Sequence, residues 1–395
     1  MPQQYRIAGM QTYDVIIIGG GAAGLTAAHY SVARGRRTLV LDMGSAPARK
    51  VAVSGGGRCN FTNGAAGRNR YFGENPDFVR GALARVSPTD ILDWARGHNI
   101  KWVQKTPGQY FCANGAADVV RALVADVGAG RIMQHVNVSD VQFADGFFSV
   151  TTNGGTFKST SVIVASGGIT FPVLGVSDIG YKIAKYFGHK IIPTRPALCA
   201  IKTDMFSPEL AGIAVVAKIS VAGETFSDSL LFTHSGIGGP AIYRATVRNN
   251  DTDIIINLLP DVDVFDVLRN ARRTMGRRSV STILSEHIPA RLARWFGRDT
   301  GDKNIADIRD DVLHNIATGI NKIVIPRGAY KYHGTTGAEV TRGGVSTDAI
   351  SSKTMESKLQ PGLFFAGEVL DIAGDLGGFN LHWAWASGTI AGQNA

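Results

Sequence analysis

Cysteine is scarce in this chain. Cys59, Cys112 and Cys199 are its only three. They are too few and too scattered for a disulfide framework, and no Cys-x-x-Cys pair marks a redox dithiol or a zinc site. A reducing compartment, the cytoplasm, is the expectation, and no metal is assigned. Long apolar runs are missing too. The most apolar stretch near the N-terminus, Val15 to Ala28, is broken by glycines and falls short of the roughly 20 apolar residues that span a bilayer. No membrane partner is expected. Met1 to Thr12 lacks the basic flank, apolar core and small-residue cleavage site of a secretory signal, and reads as a frayed extension. Internal repeats, coiled-coil heptads and low-complexity tracts are absent as well.

The 395 residues are 44% hydrophobic, an ordinary share for a chain that buries a large core. The formal charge is +9. Lys and Arg are spread along the chain, without a basic run interleaved with stacking aromatics, so nucleic acid is not expected as a direct partner. A basic balance also suits a pyrophosphate or carboxylate ligand.

Periodicity gives the organisation. Tyr13 to Gly24 reads as an apolar strand entering a Gly-rich turn; a small-residue helix from about Leu25 to Arg34 and a second strand, Arg37 to Asp42, complete a βαβ unit. A second Gly-rich loop follows at Ser54 to Gly57. Helices are expected near Asp77–Leu83, Pro88–His98 and Ala117–Asp126, and strands near Ile132–Val141, Phe147–Thr152 and Val162–Ala165. From about Ile191 the pattern changes to an inserted β unit whose strands Ala214–Val221 and Thr225–Phe232 flank a hairpin turn. Ile305, Ile308, Val312, Ile316 and Ile320 recur at helical spacing and predict one apolar helix face. The resulting division is an extension at 1–12, a nucleotide-binding domain at 13–190 and 338–395, an inserted β domain at 191–261 and 323–337, and a helical domain at 262–322.

The strongest signal for chemistry is Gly19-Gly20-Gly21-Ala22-Ala23-Gly24, which follows a strand, opens a helix and precedes Asp42 by eighteen residues. Gly19 permits the tight turn, Gly21 lets a pyrophosphate approach the backbone, and Gly24 lets helix and strand pack closely. The unpaired N–H groups and dipole of the helix start then face the phosphates. Asp42, followed by Met43, is placed to accept hydrogen bonds from an adenosine ribose. The loop Ser54-Gly55-Gly56-Gly57-Arg58-Cys59-Asn60, preceded by Arg49-Lys50, has little bulk and can lie against a flat ligand or phosphate. Cys59 reads as a buried small residue rather than a nucleophile. Ala165-Ser166-Gly167-Gly168 closes a strand in the same way. Near the C-terminus, Leu363 to Ala366 reads as a strand leading into Gly367-Glu368, the kind of acidic turn that holds the ribityl chain in FAD proteins. Gly377-Gly378-Phe379-Asn380-Leu381 starts a last helix, near Asn380 to Gly392, whose positive end would face a flavin's pyrimidine edge. Trp383 and Trp385 read as helix packing.

Together these blocks resemble the flavoproteins that include aminoacetone oxidase and the BaiN-like NAD(P)/FAD-dependent oxidoreductases. The resemblance runs from about Tyr13 to the C-terminus. It also includes Phe61-Thr62-Asn63, Phe232-Thr233-His234-Ser235-Gly236, Val340 to Val345 and Thr354 to Lys358. It implies an α/β, Rossmann-like FAD-binding domain of the two-dinucleotide-fold type, interrupted by a β-barrel-like domain and a small helical one. Ser166, Gly238 and His382 stand where the family more often has Thr, Ser and Gln, which leaves the substrate open. The implied activity is FAD-dependent hydride transfer to or from a small organic substrate. In one version an amine is oxidised and dioxygen reoxidises the flavin; in the other NAD(P)H reduces the flavin and a carbon–carbon double bond receives the hydride. The chain has no second complete G-x-G-x-x-G unit, so nicotinamide is expected only as a transient donor. His234 and His382 are the candidates to move protons. Readings from other classes are a tRNA-modifying flavoprotein and a flavin-binding sensor without turnover.

Overall fold

The computed structural model describes residues 12–105 and 108–395. The expected extension therefore lies outside the described residues, except Thr12, which already belongs to the first strand, Thr12–Ile18. Contact density separates two units, one built from the chain up to Pro196 and from Glu339 to Ala395, the other from Ala197–Ala338.

In the first unit the run Val15–Ile18 is buried on both faces, as the strands of a parallel sheet must be when helices cover both sides. The sheet order is Ile132–Met133, Thr38–Leu41, Thr12–Ile18, Gly155–Val164, with the late strand Leu363–Phe365 pairing parallel to Gly155–Val164. Phe147–Thr152 and Val138–Ala144 extend it antiparallel. The first helix, Ala22–Ala33, is made of small residues for a reason seen in the last, Phe379–Asn394. A Cβ on Gly388 would stand 2.5 Å from Ala23 O, and one on Gly392 2.2 Å from Ala27 O, so the two backbones approach as only glycine allows. Arg34 fastens the end of the pair through Gly392 O and Ala395 O. Trp383 and Trp385 are buried and donate to Gly367 O and Phe61 O; both are packing residues, as expected.

The second unit has its own core. Seven antiparallel strands run in the order Ile323–Ile325, Ile254–Asn257, Ala214–Val221, Glu224–Thr233, Gly236–Gly238, Ile201–Lys202, Lys331–Tyr332. The expected insertion is present as an antiparallel sheet with helices against it: Leu268, Leu292, Leu313 and Ile320 share one core with Ile219 and Ile256. One correction concerns the predicted helix face from Ile305. The apolar residues are buried or half-buried as their spacing implies, but Ile305–Asp307 is a 3₁₀ turn, and the α-helix starts only at Asp310 and ends at Asn321. Ile308 and Arg309 between them are extended.

Candidate functional site

The glycines of the first loop have different neighbours. Gly19 has φ +108, and a Cβ there would lie 2.4 Å from Ala165 O; at Gly24 it would lie 1.9 Å from Gly19 O. Both are glycine because chain touches chain. At Gly21 a Cβ would meet nothing within 4 Å, so the space in front of the helix start is open. Gly56, Gly57 and Gly167 border open space in the same sense.

Asp42 is oriented by the backbone, its Oδ2 accepting from Gly20 N at 2.6 Å and its Oδ1 from Gly44 N at 2.7 Å. Each oxygen keeps a lone pair for a ribose hydroxyl. Arg49 Nη2 stands 3.8 Å from the same carboxylate, while the neighbouring Met43 is exposed. Arg49 also begins the helical turn that carries the second loop. There Ser54 turns extended, and Gly55, Gly56 and Gly57 take positive φ in succession, a path that side chains with a Cβ disfavour. Arg58 is exposed at its end.

Four distant segments meet through Lys50. Its Nζ donates to Glu368 Oε2 at 2.7 Å and to Thr170 Oγ1 at 3.2 Å. Glu368 Oε1 accepts from Thr341 N at 2.8 Å, and Thr341 Oγ1 accepts from Ile169 N at 2.9 Å. Gly168 is glycine because Thr341 Oγ1 would lie 2.3 Å from its Cβ, and Gly367 packs onto Ala23. Ala165 continues from the sheet, its N–H donating to Ile18 O; Ser166 Oγ is buried without a partner among the described residues. Thr170 and Thr341 were not among the sequence candidates. The signals for them are that each lies in or beside a glycine block and that Thr341 belongs to the Val340 to Val345 block of the resemblance.

The turn ahead of the last helix is held by amides. Asn60 Nδ2 donates to Gln109 Oε1 at 2.9 Å, Asn63 Nδ2 to Gly377 O at 2.7 Å, and Asn380 bridges Gly374 N and O. These bonds hold the Gly377-Gly378 turn, with φ +118 and +93, ahead of the helix Phe379–Asn394. Phe379, Asn380 and Leu381 supply the first-turn N–H groups of that helix, which carry its positive end.

One sequence candidate changes character. His382 is fully buried, with Nδ1 2.9 Å from Thr62 Oγ1 and Nε2 3.1 Å from Val86 O. Burial pushes its imidazole down to about 4. A neutral ring with both nitrogens engaged has no proton to trade near pH 7, so His382 is a structural hydrogen bonder and not a proton shuttle. Cys59 is buried as expected, and burial pushes its thiol up to about 12, which makes it a poor nucleophile. The structure adds what its sequence context hides: Cys112 N donates to Cys59 O at 3.3 Å across the Asn60–Asn63 and Gln109–Cys112 strands. Both thiols are free. His234 belongs to the second unit, exposed in the turn between Glu224–Thr233 and Gly236–Gly238.

These residues fit FAD. The open cradle at Gly21, the helix start behind it, the oriented carboxylate of Asp42 and the Lys50–Glu368 turn would hold adenosine, pyrophosphate and ribityl chain. The Gly377–Leu381 helix start would take the electron-rich pyrimidine edge.

Comparison with known proteins gives four likenesses. Residues 13–394 match the HI0933-like protein Rossmann domain family. The ribosomal RNA dihydrouridine synthase of Escherichia coli (strain K12) is 38% identical over 98% of this chain and 98% of its own. The 3-dehydro-bile acid delta(4,6)-reductase of Clostridium scindens is 26% identical over 96% of this chain and 98% of its own. Among solved structures, a 3-ketosteroid-delta4-(5alpha)-dehydrogenase from Rhodococcus jostii RHA1 shares the fold, at 13% identity and a TM-score of 0.50 over 98% of this chain and 97% of that one. No helix among the described residues is long and apolar enough to cross a membrane.

Proposed function

We propose, for a chain that belongs to the HI0933-like family and is an FAD-dependent oxidoreductase, a reaction of one kind: reduction of a carbon–carbon double bond. Its substrate in this reading is the C5=C6 bond of uracil in ribosomal RNA. The observation that carries the reading is end-to-end similarity, at 38% identity, to a ribosomal RNA dihydrouridine synthase. In this reading RNA is the substrate, whereas the sequence expectation against nucleic acid rested on the absence of a basic run. It also favours the double-bond branch of the expected chemistry over amine oxidation.

When bound, reduced FAD supplies the hydride for such a reaction. The balance is simple: one C=C π bond is lost, two C–H bonds form, and a nicotinamide donor of the NADH or NADPH class is oxidised. The chain's own residues bind and orient. Asp42, the Gly21 cradle and the Lys50–Glu368 turn would hold the cofactor, while the N–H groups of Phe379, Asn380 and Leu381 would favour negative charge at its pyrimidine edge.

The test is to incubate the purified yellow protein with unmodified ribosomal RNA and NADPH or NADH, then digest the RNA and weigh its nucleosides. A uridine heavier by two hydrogens supports the reading. Nicotinamide-dependent bleaching of the flavin with reduction of a conjugated steroid ketone, and none of RNA, would move the substrate to the class named for the Clostridium scindens relative. Bleaching by amines alone would restore the oxidase reading. No bleaching by any donor would leave a flavin-binding sensor.

A further inference from the structure

The helix Ala290–Gly297, in the second unit, has a face the flavin chemistry does not use. Its sequence from Arg291 is Arg-Leu-Ala-Arg-Trp-Phe-Gly-Arg. At 3.6 residues per turn, Arg291, Arg294 and Arg298 fall within a sector of about 60°, and Leu292, Ala293 and Phe296 point almost directly away from it. The structure agrees: all three arginines are exposed, and the three apolar residues are buried in the unit's core. Arg298 keeps the helical backbone conformation one residue past the end, so the stripe is about 10 Å long.

The stripe is also arranged for an anion. Arg291 is anchored by Nη2 to Ala211 O at 2.9 Å, which leaves the rest of its guanidinium outward. Arg291 and Arg294 make no ion pair among the described residues, while Asp299 stands 3.8 Å from Arg298 Nε and offsets part of the third charge. Trp295 flanks the stripe, half-buried, with the Arg298 guanidinium 4.4 Å from its ring centroid. No exposed apolar side chain on this helix suits insertion into a lipid surface, since its apolar face is already occupied.

The geometry points to the Arg291–Arg294–Arg298 face as a docking surface for the phosphate backbone of the RNA substrate. This rests on the ribosomal RNA reading above, and it adds where the RNA is held. Arginines clustered along one helix face are the electrostatic footprint of nucleic-acid binding, and each phosphate they neutralise releases counterions and makes affinity fall with salt. An arginine-stacked tryptophan beside them offers a surface for an unpaired base.

The FAD-loaded protein is titrated with in vitro transcribed small- and large-subunit ribosomal RNA at several salt concentrations. The proteins compared are wild type, Arg291→Ala/Arg294→Ala, the charge-keeping Arg291→Lys/Arg294→Lys, and a charge control on the other unit, Lys101→Ala/Lys185→Ala. The double alanine variant should bind on the order of tenfold more weakly, with a log–log salt slope shallower by about 1.5. The lysine variant should keep most of the slope, and the control should keep both. Melting temperature and flavin content should match wild type in all four. Wild-type affinity in the double alanine variant, or an equal loss in the control, overturns the docking face. Dihydrouridine formation by wild type is scored separately. Product made with full RNA binding in the alanine variant defeats only this inference, whereas neither product nor binding in wild type defeats the substrate reading and the docking face with it.

Discussion

The two ends of the proposed flavin site use the same residue for opposite purposes. At the proposed adenosine end Gly21 faces empty space, so its missing side chain would leave room for a ligand. At the proposed pyrimidine end Gly377 and Gly378 face protein: a Cβ on Gly377 would stand 3.1 Å from the Gln109 amide, and one on Gly378 2.7 Å from Asn60 Oδ1 and 2.8 Å from Thr62 O. One end is a mould left open and the other a joint drawn tight. A glycine motif therefore says nothing by itself about whether a substitution empties a site or breaks a fold; the neighbours of the absent Cβ decide.

The largest effect should come from the joint. Gly378→Val combines φ +93 with overlap against a backbone carbonyl that cannot move aside, and should cost roughly 3–5 kcal/mol. Thermal unfolding should occur about 10 °C lower or lose its cooperativity; a variant melting with wild type would break the comparison at this end. Next comes the mould. Gly21→Val should purify colourless, with FAD content down at least roughly tenfold, while its urea midpoint stays within about 1 kcal/mol of flavin-free wild type. An unfolded Gly21→Val would show that the mould also is a joint.

A pH series sharpens the contrast, because His382 sits one turn beyond Gly378 and braces the joint against Thr62. Its folded value of about 4 lies below the ordinary value of 6.5, so between these values the unfolded chain binds the proton and the folded one does not. Stability is unaffected above pH 6.5 and falls as pH drops from there towards 4, by roughly 3 kcal/mol in all. His382→Gln should flatten that part of the curve, measured as urea midpoint against pH; an unchanged slope would assign the acid sensitivity elsewhere. The smallest effect is expected for Cys59→Ser, near the tight end but chemically idle. Flavin reduction and reoxidation rates should match wild type, with stability lower by no more than about 1 kcal/mol. Lost turnover at full FAD content would show that the Cys59–Cys112 neighbourhood takes part.

Legibility in the sequence followed the distance over which each feature is made. The Gly19–Gly24 turn and Asp42 were readable because strand, turn, helix and acid succeed one another within about thirty residues. The Lys50–Glu368–Thr341 network was not, since its partners are brought together only by the fold; nor was the nearness of Cys59 and Cys112, which a strand pairing creates. The single helix expected from Ile305 failed because a 3₁₀ turn and an extended link can bury the same isoleucines as one helix would. His382 looked like a shuttle because sequence shows a residue's chemistry without its burial. The arginines of 291, 294 and 298 escape a search for runs because they form a face, visible once the helix has bounds.

The contact of Gly388 and Gly392 with Ala23 and Ala27 sets an order of assembly during synthesis. The first helix leaves the ribosome some 350 residues before the last helix that must cover it, an interval of tens of seconds at about 5–20 residues per second. The segment Ala197–Ala338, contiguous and with its own core, has everything it needs to fold in that interval. The dinucleotide unit does not: its sheet lacks Leu363–Phe365 and its first helix lacks a partner until Phe379–Asn394 is made. FAD capture is therefore expected only after Phe379–Asn394 has been made, and a truncation ahead of Leu363 should lose FAD although Gly19–Gly24 is already in place.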